Sequence, residues 1–305
     1  MVRFVINRIS WSLLTLFMVV SFVFFLARLS GDPVRLMLPD QATQADVEAM
    51  REALGFNRPL FAQYSDFIFH AAQGDLGMSL RHGQPAIDLV LERLPATLEL
   101  AVSSFAIGFA VALGLAVWGE ISRSRRLRNT LLWAATIRQA IPPYLFGVLM
   151  IMLFSVYLSL LPAMGRNTLA GYVIPILTIS TYEIALYLRL LNASFDETRS
   201  LDWVKTALAK GVTRRRVVLS HMLPNALLPV ITVAGINLGV LVGGIVVLEI
   251  VFNWPGIGRL IVQGVVQRDY PVVQAGVVVT ATVFIVINLG VDILYRVLDP
   301  RVRLA

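Results

Sequence analysis

Residues 200–223 read SLDWVKTALAKGVTRRRVVLSHML, a basic polar stretch between two long apolar runs. Gly211 divides this insert, and glycine there favours the left-handed conformation that ends a helix. We therefore predict two short helices, the first capped by Ser200 and the second capped by Thr213 and broken at Pro224. The basic side chains are expected to face water: Lys205, Lys210, Arg214, Arg215 and Arg216. So basic an insert indicates a docking surface for a soluble partner.

The composition is that of an integral membrane protein. Of the 305 residues, 57% are apolar and 15% are charged, and the mean hydropathy is +0.75. Soluble domains carry about 25% charged residues, so a soluble fold is excluded. The net charge of +7 does not indicate nucleic-acid binding, because the basic residues collect in short loops between apolar runs.

The sequence offers few side chains for thiol chemistry or metal binding. The sequence has no cysteine, which excludes disulfides and thiol catalysis, and its three histidines fall in separate segments. None of these histidines has the spacing of a metal-binding motif. We expect neither a metal site nor a catalytic residue in this chain.

Six apolar segments are long enough to cross a bilayer, which takes about 20 helical residues. Backbone polar groups in lipid must be paired within each segment, so all six are predicted helices and the fold is an all-α membrane bundle. An N-terminal basic pair precedes the first segment, which we interpret as a retained helix rather than a signal peptide. The segments are Ile9–Leu29, Ala96–Gly119, Thr130–Leu160, Tyr172–Leu191, Ala226–Leu248 and Ala275–Val297.

Loop charges predict the orientation, because arginine and lysine accumulate on the cytoplasmic side. The basic loops include both chain ends, residues 123–128 and the insert. The loop 30–92 is acidic and is predicted to lie outside, in the periplasm. Both termini and the insert are therefore expected in the cytoplasm.

The outer loop is too long for a simple connection. Within it, Ala45–Leu54 followed by Gly55 predicts one helix, and Leu60–Ala72 between Pro59 and Gly74 predicts a second. Two interpretations stay open and are compatible. The loop covers the outer mouth of the bundle, or it is a docking surface for an external partner.

Two charged residues lie deep within predicted spans. Arg138 falls about two turns into the third span, before the kink expected at Pro142–Pro143, and Glu183 falls in the middle of the fourth. A charge at that depth marks either a polar translocation path or a structural pair between helices. Both alternatives stay open here. An amphipathic helix lying on anionic headgroups likewise stays open as an alternative for the insert.

The insert resembles a known family. Lys205–Gly211, followed nine residues later by His221–Pro224, is similar to the "EAA…G…LP" loop of ABC importer permeases. It is most similar to the "TARAKG" form of dipeptide, oligopeptide, nickel and glutathione importers. Lys205 replaces the glutamate of the motif, and Leu208 stands where that branch often has arginine.

The resemblance to the first permease of such importers extends over nearly the whole chain. Each further motif is short, but they occur in order at matching topological positions. They are Arg3–Phe4, Leu29–Pro33, Gly74–Gly77, Arg93–Leu98, Leu161–Gly165, Phe252–Gly258, Arg268–Pro271 and Leu298–Arg301.

The resemblance implies a division of the chain. Residues 1–94 form a first transmembrane helix plus the external loop, and residues 95–298 form a MetI-like permease core. The core carries the cytoplasmic coupling insert 200–224, and residues 299–305 are a cytoplasmic tail.

The resemblance also implies partners: a paralogous second permease, two cytoplasmic ATPase subunits, an external substrate-binding protein and membrane lipid. No phosphate-binding Gly-x-x-x-x-Gly-Lys-Ser/Thr loop occurs in the sequence, so ATP and Mg²⁺ are expected in the partner subunits. The location implied is the bacterial cytoplasmic (inner) membrane.

Three groups of site residues follow. The ATPase-coupling residues are Asp202, Lys205, Thr206, Ala207, Lys210, Gly211, Arg215, Leu223 and Pro224. The translocation-path candidates are Arg138 and Glu183. The candidates for contact with the binding protein are Asp75, Trp254 and Asp269.

The predicted function is therefore that of a permease subunit in an ATP-driven importer, with dipeptides or oligopeptides as the expected cargo. Nickel, glutathione and opines are alternatives within the same class. A secondary transporter without an ATPase is an alternative from another class, but no inverted internal repeat is evident. A membrane enzyme would need paired acids or a nucleophile and base at mid-span, and the acids here are scattered.

Overall fold

The computed structural model describes residues 2–29, 43–53 and 55–298, and its regular elements there are helices. Residues 30–42 of the predicted outer loop and the predicted tail 299–305 lie outside this part. The helices are α1 (Val2–Leu29), α2 (Gln44–Ala53), α3 (Leu60–Ala72), α4 (Ala86–Ser122), α5 (Arg125–Ala140), α6 (Pro143–Tyr157), α7 (Leu169–Ser200), α8 (Asp202–Ala209), α9 (Arg214–Gly244), α10 (Val246–Val251), α11 (Ile257–Gln267) and α12 (Tyr270–Leu298).

Five helices are long and apolar enough to cross a membrane, and a bent pair makes a sixth candidate span. The five are α1, α4, α7, α9 and α12, and the pair is α5 with α6. This agrees with the predicted number of spans and with an all-α fold. Many large apolar side chains on these helices are exposed, as expected for surfaces that face lipid.

The third span, predicted as Thr130–Leu160, is kinked at Pro142–Pro143 as expected, and the kink is sharp enough to divide the span into two helices. Its two halves, α5 and α6, meet at an angle of 94°. The cause is the Pro142–Pro143 pair, because a residue that precedes proline is pushed out of the helical region. Ile141 and Pro142 both adopt extended backbone, with ψ angles of 120° and 138°.

The two predicted helices of the outer loop are confirmed within about one residue. α2 begins after Thr43, whose backbone N–H and hydroxyl both donate to the Asp46 carboxylate at 2.9 and 2.7 Å. These hydrogen bonds lower the pKa of Asp46. Gly55 follows α2 with a φ of +70°, which is the left-handed stop that the glycine predicts.

One of two compact units combines the described residues up to position 97 with residues 255–285. Its core joins the loop and helix around Leu76, Ala86 and Val90 to the helices that carry Ile257 and Val272. Within the same unit, α3 packs on α1 through the rings of Phe24, Tyr64 and Phe67. Residues 255–285 therefore pack with the N-terminal segment, although they are distant from it along the chain.

Among the described residues, the other unit comprises residues 98–254 and 286–298. Its core contains side chains from α4, α7, α8 and α9, among them Tyr187, Phe195, Val204 and Met222. The insert is therefore part of the same core as the spans that flank it. This packing argues against a helix that lies free on the membrane surface.

Gly108 on α4 marks a close approach between helices. A Cβ atom added at Gly108 would lie 2.5 Å from the Cβ of Glu183 and 3.0 Å from the carbonyl oxygen of Ser180, both on α7. Only glycine permits this separation, as in other small-residue contacts between membrane helices.

We predict that Gly108→Ala lowers the free energy of unfolding of the detergent-solubilised protein by about 1–3 kcal/mol, because α4 and α7 must move apart to admit the methyl group. The melting temperature should fall accordingly. Gly114→Ala on the same helix is the matched control, because a Cβ there meets nothing within 4 Å. The melting temperatures of the two variants are compared by heating samples and measuring the remaining folded protein by size-exclusion chromatography. Equal melting temperatures for both variants would contradict the close approach.

Candidate functional site

The insert is a helix, a glycine and a second helix, as predicted. α8 ends at Ala209, and Gly211 follows in the left-handed conformation with a φ of +79°. The Gly211 and Val212 N–H groups donate to Leu208 and Ala207 carbonyls at 3.0 and 3.2 Å, which closes the helix end.

The predicted cap at Ser200 is wrong. Ser200 is the last residue of α7, and its hydroxyl donates to the Glu197 carbonyl at 2.7 Å. Leu201 occupies the N-cap position of α8 without a side-chain hydrogen bond. Thr213 holds the N-cap position of the second helix, but its side chain makes no capping hydrogen bond either.

The predicted break at Pro224 is also wrong, because the second helix continues into the fifth span. α9 passes from Arg214–Arg216 through a π-helical stretch, Val217–Met222, into Leu223–Gly244. The wider π turn shifts the backbone hydrogen bonds by one residue just before Pro224, which lacks an N–H. Proline is therefore tolerated at the start of the following α-helical segment.

The two faces of the insert differ. Val204, Val217, Val218 and Met222 are buried in the core of the second unit. Most predicted coupling residues lie on the opposite, exposed face: Asp202, Lys205, Thr206, Lys210, Gly211, Arg215 and Pro224. Ala207 and Leu223 are half-buried and pack against the core. An exposed ion pair joins Lys205 to Asp202 at 2.9 Å.

A buried carboxylate anchors the insert to the spans. Glu120, in the last turn of α4, is only 3% exposed. Arg214 donates from Nη2 to Glu120 Oε1 at 2.7 Å and from Nε to the Glu120 carbonyl oxygen at 2.8 Å. Arg199 donates from Nε to Oε1 at 3.1 Å and from Nη2 to the other carboxylate oxygen. One carboxylate thus ties the end of α4 to the end of α7 and the start of α9.

Sequence reasoning missed this anchor. Arg214 was expected to be a solvent-facing member of the basic face, whereas it is partly buried against Glu120. The available signal was weak: a glutamate in the last turn of a span, where charged residues commonly reach water. Distance along the chain hides the pairing, because 79 and 94 residues separate Glu120 from its two arginines.

Arg138 and Glu183 are placed in different surroundings. The Arg138 guanidinium donates to the Thr181 hydroxyl at 2.9 Å and to the Thr178 carbonyl at 2.8 Å, and it lies 3.9 Å from the Phe146 ring centroid. No carboxylate of residues 2–29, 43–53 or 55–298 forms an ion pair with it. A cavity of about 260 Å³, lined mostly by apolar side chains, opens beside it.

Glu183 belongs to a buried hydrogen-bonded cluster. The Asn237 amide donates to the Glu183 carboxylate at 2.7 Å and also to the Tyr187 hydroxyl at 2.8 Å. The cluster connects α7 to α9, as the structural alternative expected, although its partners are neutral. The two candidates are therefore not brought together in one polar site.

The predicted outer contact residues need correction. Trp254 is fully buried, with its ring 4.8 Å from that of Tyr172, and Asp269 is 1% exposed. Asp269 accepts hydrogen bonds from the Ser79 hydroxyl at 2.5 Å and from the Leu80 N–H at 3.2 Å. Buried side chains shape their segments from within and do not contact a partner directly. Asp75 is exposed and remains available.

Within the part of the chain that the structure describes, no group of three or more His, Asp or Glu side chains is arranged to hold a metal ion. The polar side chains singled out above form the exposed face of the insert, the Glu120 anchor and separate polar positions in the spans.

The sequence matches two family profiles. "Binding-protein-dependent transport system inner membrane component" matches residues 106–304, and the N-terminal domain of such membrane components matches residues 1–101. The chain belongs to this family of inner-membrane components. The predicted permease of a binding-protein-dependent ABC importer, located in the inner membrane, is confirmed at this level.

Curated relatives of this permease match over the full length. The "Glutathione transport system permease protein GsiC" of Escherichia coli (strain K12) is 40% identical over 308 residues, 99% of each chain. The protein of the same name from Shigella dysenteriae serotype 1 (strain Sd197) matches equally.

Solved structures of the MetNI methionine ABC transporter in inward-facing conformations have a similar fold. Two crystal forms give TM-scores of 0.57 and 0.60, at 20% and 21% identity, and each covers 69% of this permease and 96% of the solved chain. At this identity the likeness concerns the fold alone, and it agrees with the predicted MetI-like core.

We predict that Glu120→Gln loosens the insert. Two arginines then lose a charged acceptor, and the stability is expected to fall by about 1–3 kcal/mol. Tryptic cleavage at the exposed Lys205, Lys210 and Arg215 should become faster, which proteolysis followed by mass spectrometry measures.

Asp196→Asn is the matched control, because Asp196 also pairs with Arg199 but is 44% exposed. A pair at that exposure contributes about 0–1 kcal/mol. If Asp196→Asn loosens the insert as much as Glu120→Gln, the buried carboxylate is not the anchor.

Proposed function

We propose that the exposed face of the insert docks into a cytoplasmic ATPase subunit and transmits its movement to the spans. The supporting observation is the two-faced insert, with an apolar side in the core of the spans and a basic side facing outwards. A surface that is both rigidly mounted and accessible suits mechanical coupling. Both termini lie in the cytoplasm in this proposal, on the side of the basic loops.

In this proposal, the hydrogen bonds of Glu120 transmit movement of the insert to the membrane-spanning helices. A push on the start of α9 reaches α4 and α7 through the charge-assisted hydrogen bonds of Arg214 and Arg199 to Glu120, rather than through a flexible loop. The continuous α9 carries the same movement into the fifth span without a break at Pro224. ATP hydrolysis, with its Mg²⁺, takes place in the partner subunits.

We predict that Gly211→Val uncouples ATP hydrolysis from uptake. A φ of +79° strains a β-branched residue, so the insert must shift relative to its docking surface. Transport by the reconstituted complex should fall about tenfold, equivalent to ~1.4 kcal/mol, while the spans stay folded and ATP is still hydrolysed.

Gly211→Asn is the control variant that distinguishes the effect of backbone strain from the effect of adding a side chain at position 211. Asparagine tolerates the left-handed region, and a Cβ at position 211 meets nothing within 4 Å. Uptake should remain near the native level in this variant. Normal uptake in Gly211→Val, or equal losses in both variants, would remove Gly211 from the coupling role.

The complete transporter in this proposal contains a paralogous second permease, two ATPase subunits and an external binding protein. The helices α2 and α3 of the outer loop, together with the exposed Asp75, form the candidate surface for the binding protein. A photo-cross-linker placed at position 75 tests this contact. Absence of an adduct with the binding protein, with and without cargo and ATP, would exclude it.

The proposed cargo is a short peptide, with glutathione as the member of that class suggested by the names of the relatives. Glutathione is itself a tripeptide, so this suggestion stays close to the peptide expectation. Nickel and opines are alternative cargoes within the same importer class.

Arg138 is proposed to contact a carboxylate of the cargo on the translocation path. Its guanidinium lacks an acidic partner among the residues described and borders a cavity of about 260 Å³. Arginine is suited to a planar, two-point contact with carboxylates, whereas lysine offers a point charge.

We predict that Arg138→Gln lowers uptake of labelled glutathione by about tenfold or more, because a buried hydrogen bond to a charged group contributes ~1.5–3 kcal/mol. Arg138→Lys should lose less, and cargo-stimulated ATP hydrolysis should fall in parallel. The assay uses proteoliposomes with the partner binding protein and compares glutathione with di- and oligopeptides. Unchanged uptake in Arg138→Gln would exclude the contact and leave the coupling proposal untouched.

A further inference from the structure

A second cavity, lined mostly by charged side chains, lies in the same unit as the insert. It measures about 360 Å³ and is lined by Arg123, Arg125, Arg128, Arg199 and Arg214 around Glu120. These residues come from the end of α4, the start of α5, the end of α7 and the start of α9. Neither the family description nor the coupling surface accounts for so many arginines facing one cavity.

We call this cavity the arginine pocket, and the positive charges around it outnumber the negative charges. Glu120 is shared by Arg199 and Arg214, and Asp196 is shared by Arg128 and Arg199. Arg123 and Arg125 have no ion pair in the described part of the chain. Five guanidinium groups therefore face two carboxylates, an excess of three positive charges that an anionic ligand would balance.

The carboxylates also orient the arginines. Arg128 donates to Asp196 Oδ1 at 2.5 Å, and Arg214 donates to Glu120 Oε1 at 2.7 Å, so these side chains are held while other N–H groups face the cavity. A guanidinium presents a rigid fork of donors that matches the oxygens of phosphate. The chemistry thus points to a phosphate group rather than to a neutral ligand.

The position of the pocket indicates a lipid as the source of that phosphate. Each contributing helix is a membrane span or half of one, and the pocket lies at the ends of these helices. Trp118 and Trp133, on the adjoining turns of α4 and α5, are 55% and 69% exposed. Exposed tryptophan near the end of a span is typical of the bilayer interface, where headgroups lie.

We propose that the arginine pocket binds the phosphate of an anionic phospholipid, whose acyl chains lie on the exposed apolar faces of α4 and α5. A headgroup there relieves the repulsion among arginines beside the Glu120 anchor. Basic pockets between the ends of membrane helices are a general means of holding anionic headgroups. This proposal does not depend on the coupling role of the insert.

The test is a double variant, Arg123→Asn with Arg125→Gln, in the full-length permease within its complex. Both arginines are exposed and lack ion pairs in the region described, so their loss leaves the Glu120 anchor intact. Asparagine suits position 123, where φ is +57°. The control is Arg126→Gln with Arg216→Gln, which removes the same charge from exposed positions outside the pocket.

The probe is phosphatidylglycerol, with phosphatidylcholine for comparison, and its retention is measured by native mass spectrometry. The Arg123→Asn/Arg125→Gln variant should bind phosphatidylglycerol roughly twenty-fivefold more weakly, about fivefold for each arginine, while the control changes little. Equal losses in variant and control would show diffuse attraction to charge and overturn the site. Undiminished retention in the variant would overturn it as well.

Two further measurements identify whether the bound anion comes from a lipid, a soluble phosphate or the ATPase subunit. Inorganic phosphate alone should not displace phosphatidylglycerol, since it lacks acyl chains; displacement at comparable concentration would assign the pocket to a soluble phosphate and overturn the lipid. Copurification of the ATPase subunit is measured in parallel. Its loss in the variant with lipid retained would assign the pocket to the ATPase interface and likewise overturn the proposal.

Discussion

The arrangement of the functional end of this permease depends on the charge of Glu120. A carboxylate that is 3% exposed is costly to bury unless its lone pairs are satisfied, and here two arginines satisfy them. These arginines come from the residues just before α8 and from the first turn of α9. The insert therefore cannot move far without either carrying α4 and α7 with it or leaving a buried charge unpaired. This constraint makes an exposed loop-like segment part of the rigid bundle.

The apolar contacts of the insert also hold it against the membrane-spanning helices. Val204 and Met222 are each 2% exposed and lie in one core with residues of α7 such as Tyr187. Non-directional burial alone would let short helices slide, whereas hydrogen bonds to one carboxylate fix their register. Apolar burial thus supplies much of the stability and the ion network supplies the position. A docking surface requires both, because force applied to a poorly positioned helix is lost in local movement.

Much of this fold was predictable because lipid imposes strict rules. The number of spans followed from hydropathy, and the left-handed Gly211 followed from the conformational freedom of glycine. The break expected at Pro224 failed because a π-helical stretch, which has no clear sequence signature, precedes it. The Glu120 anchor and the burial of Trp254 depend on contacts between distant segments. Local patterns carry no information on such contacts.

The two charged residues within the spans illustrate how a structure separates alternatives that a sequence leaves open. The Glu183 carboxylate accepts a hydrogen bond from the Asn237 amide, and its Cβ packs against Gly108, so the side chain is held between neighbouring helices. Arg138 is held by carbonyl and hydroxyl oxygens and by an aromatic face, none of which neutralises its charge. A cation stabilised by dipoles alone keeps most of its attraction for an anion. This energetic difference between the two sites, rather than their depth in the spans, is why we propose Arg138, and not Glu183, for the cargo path.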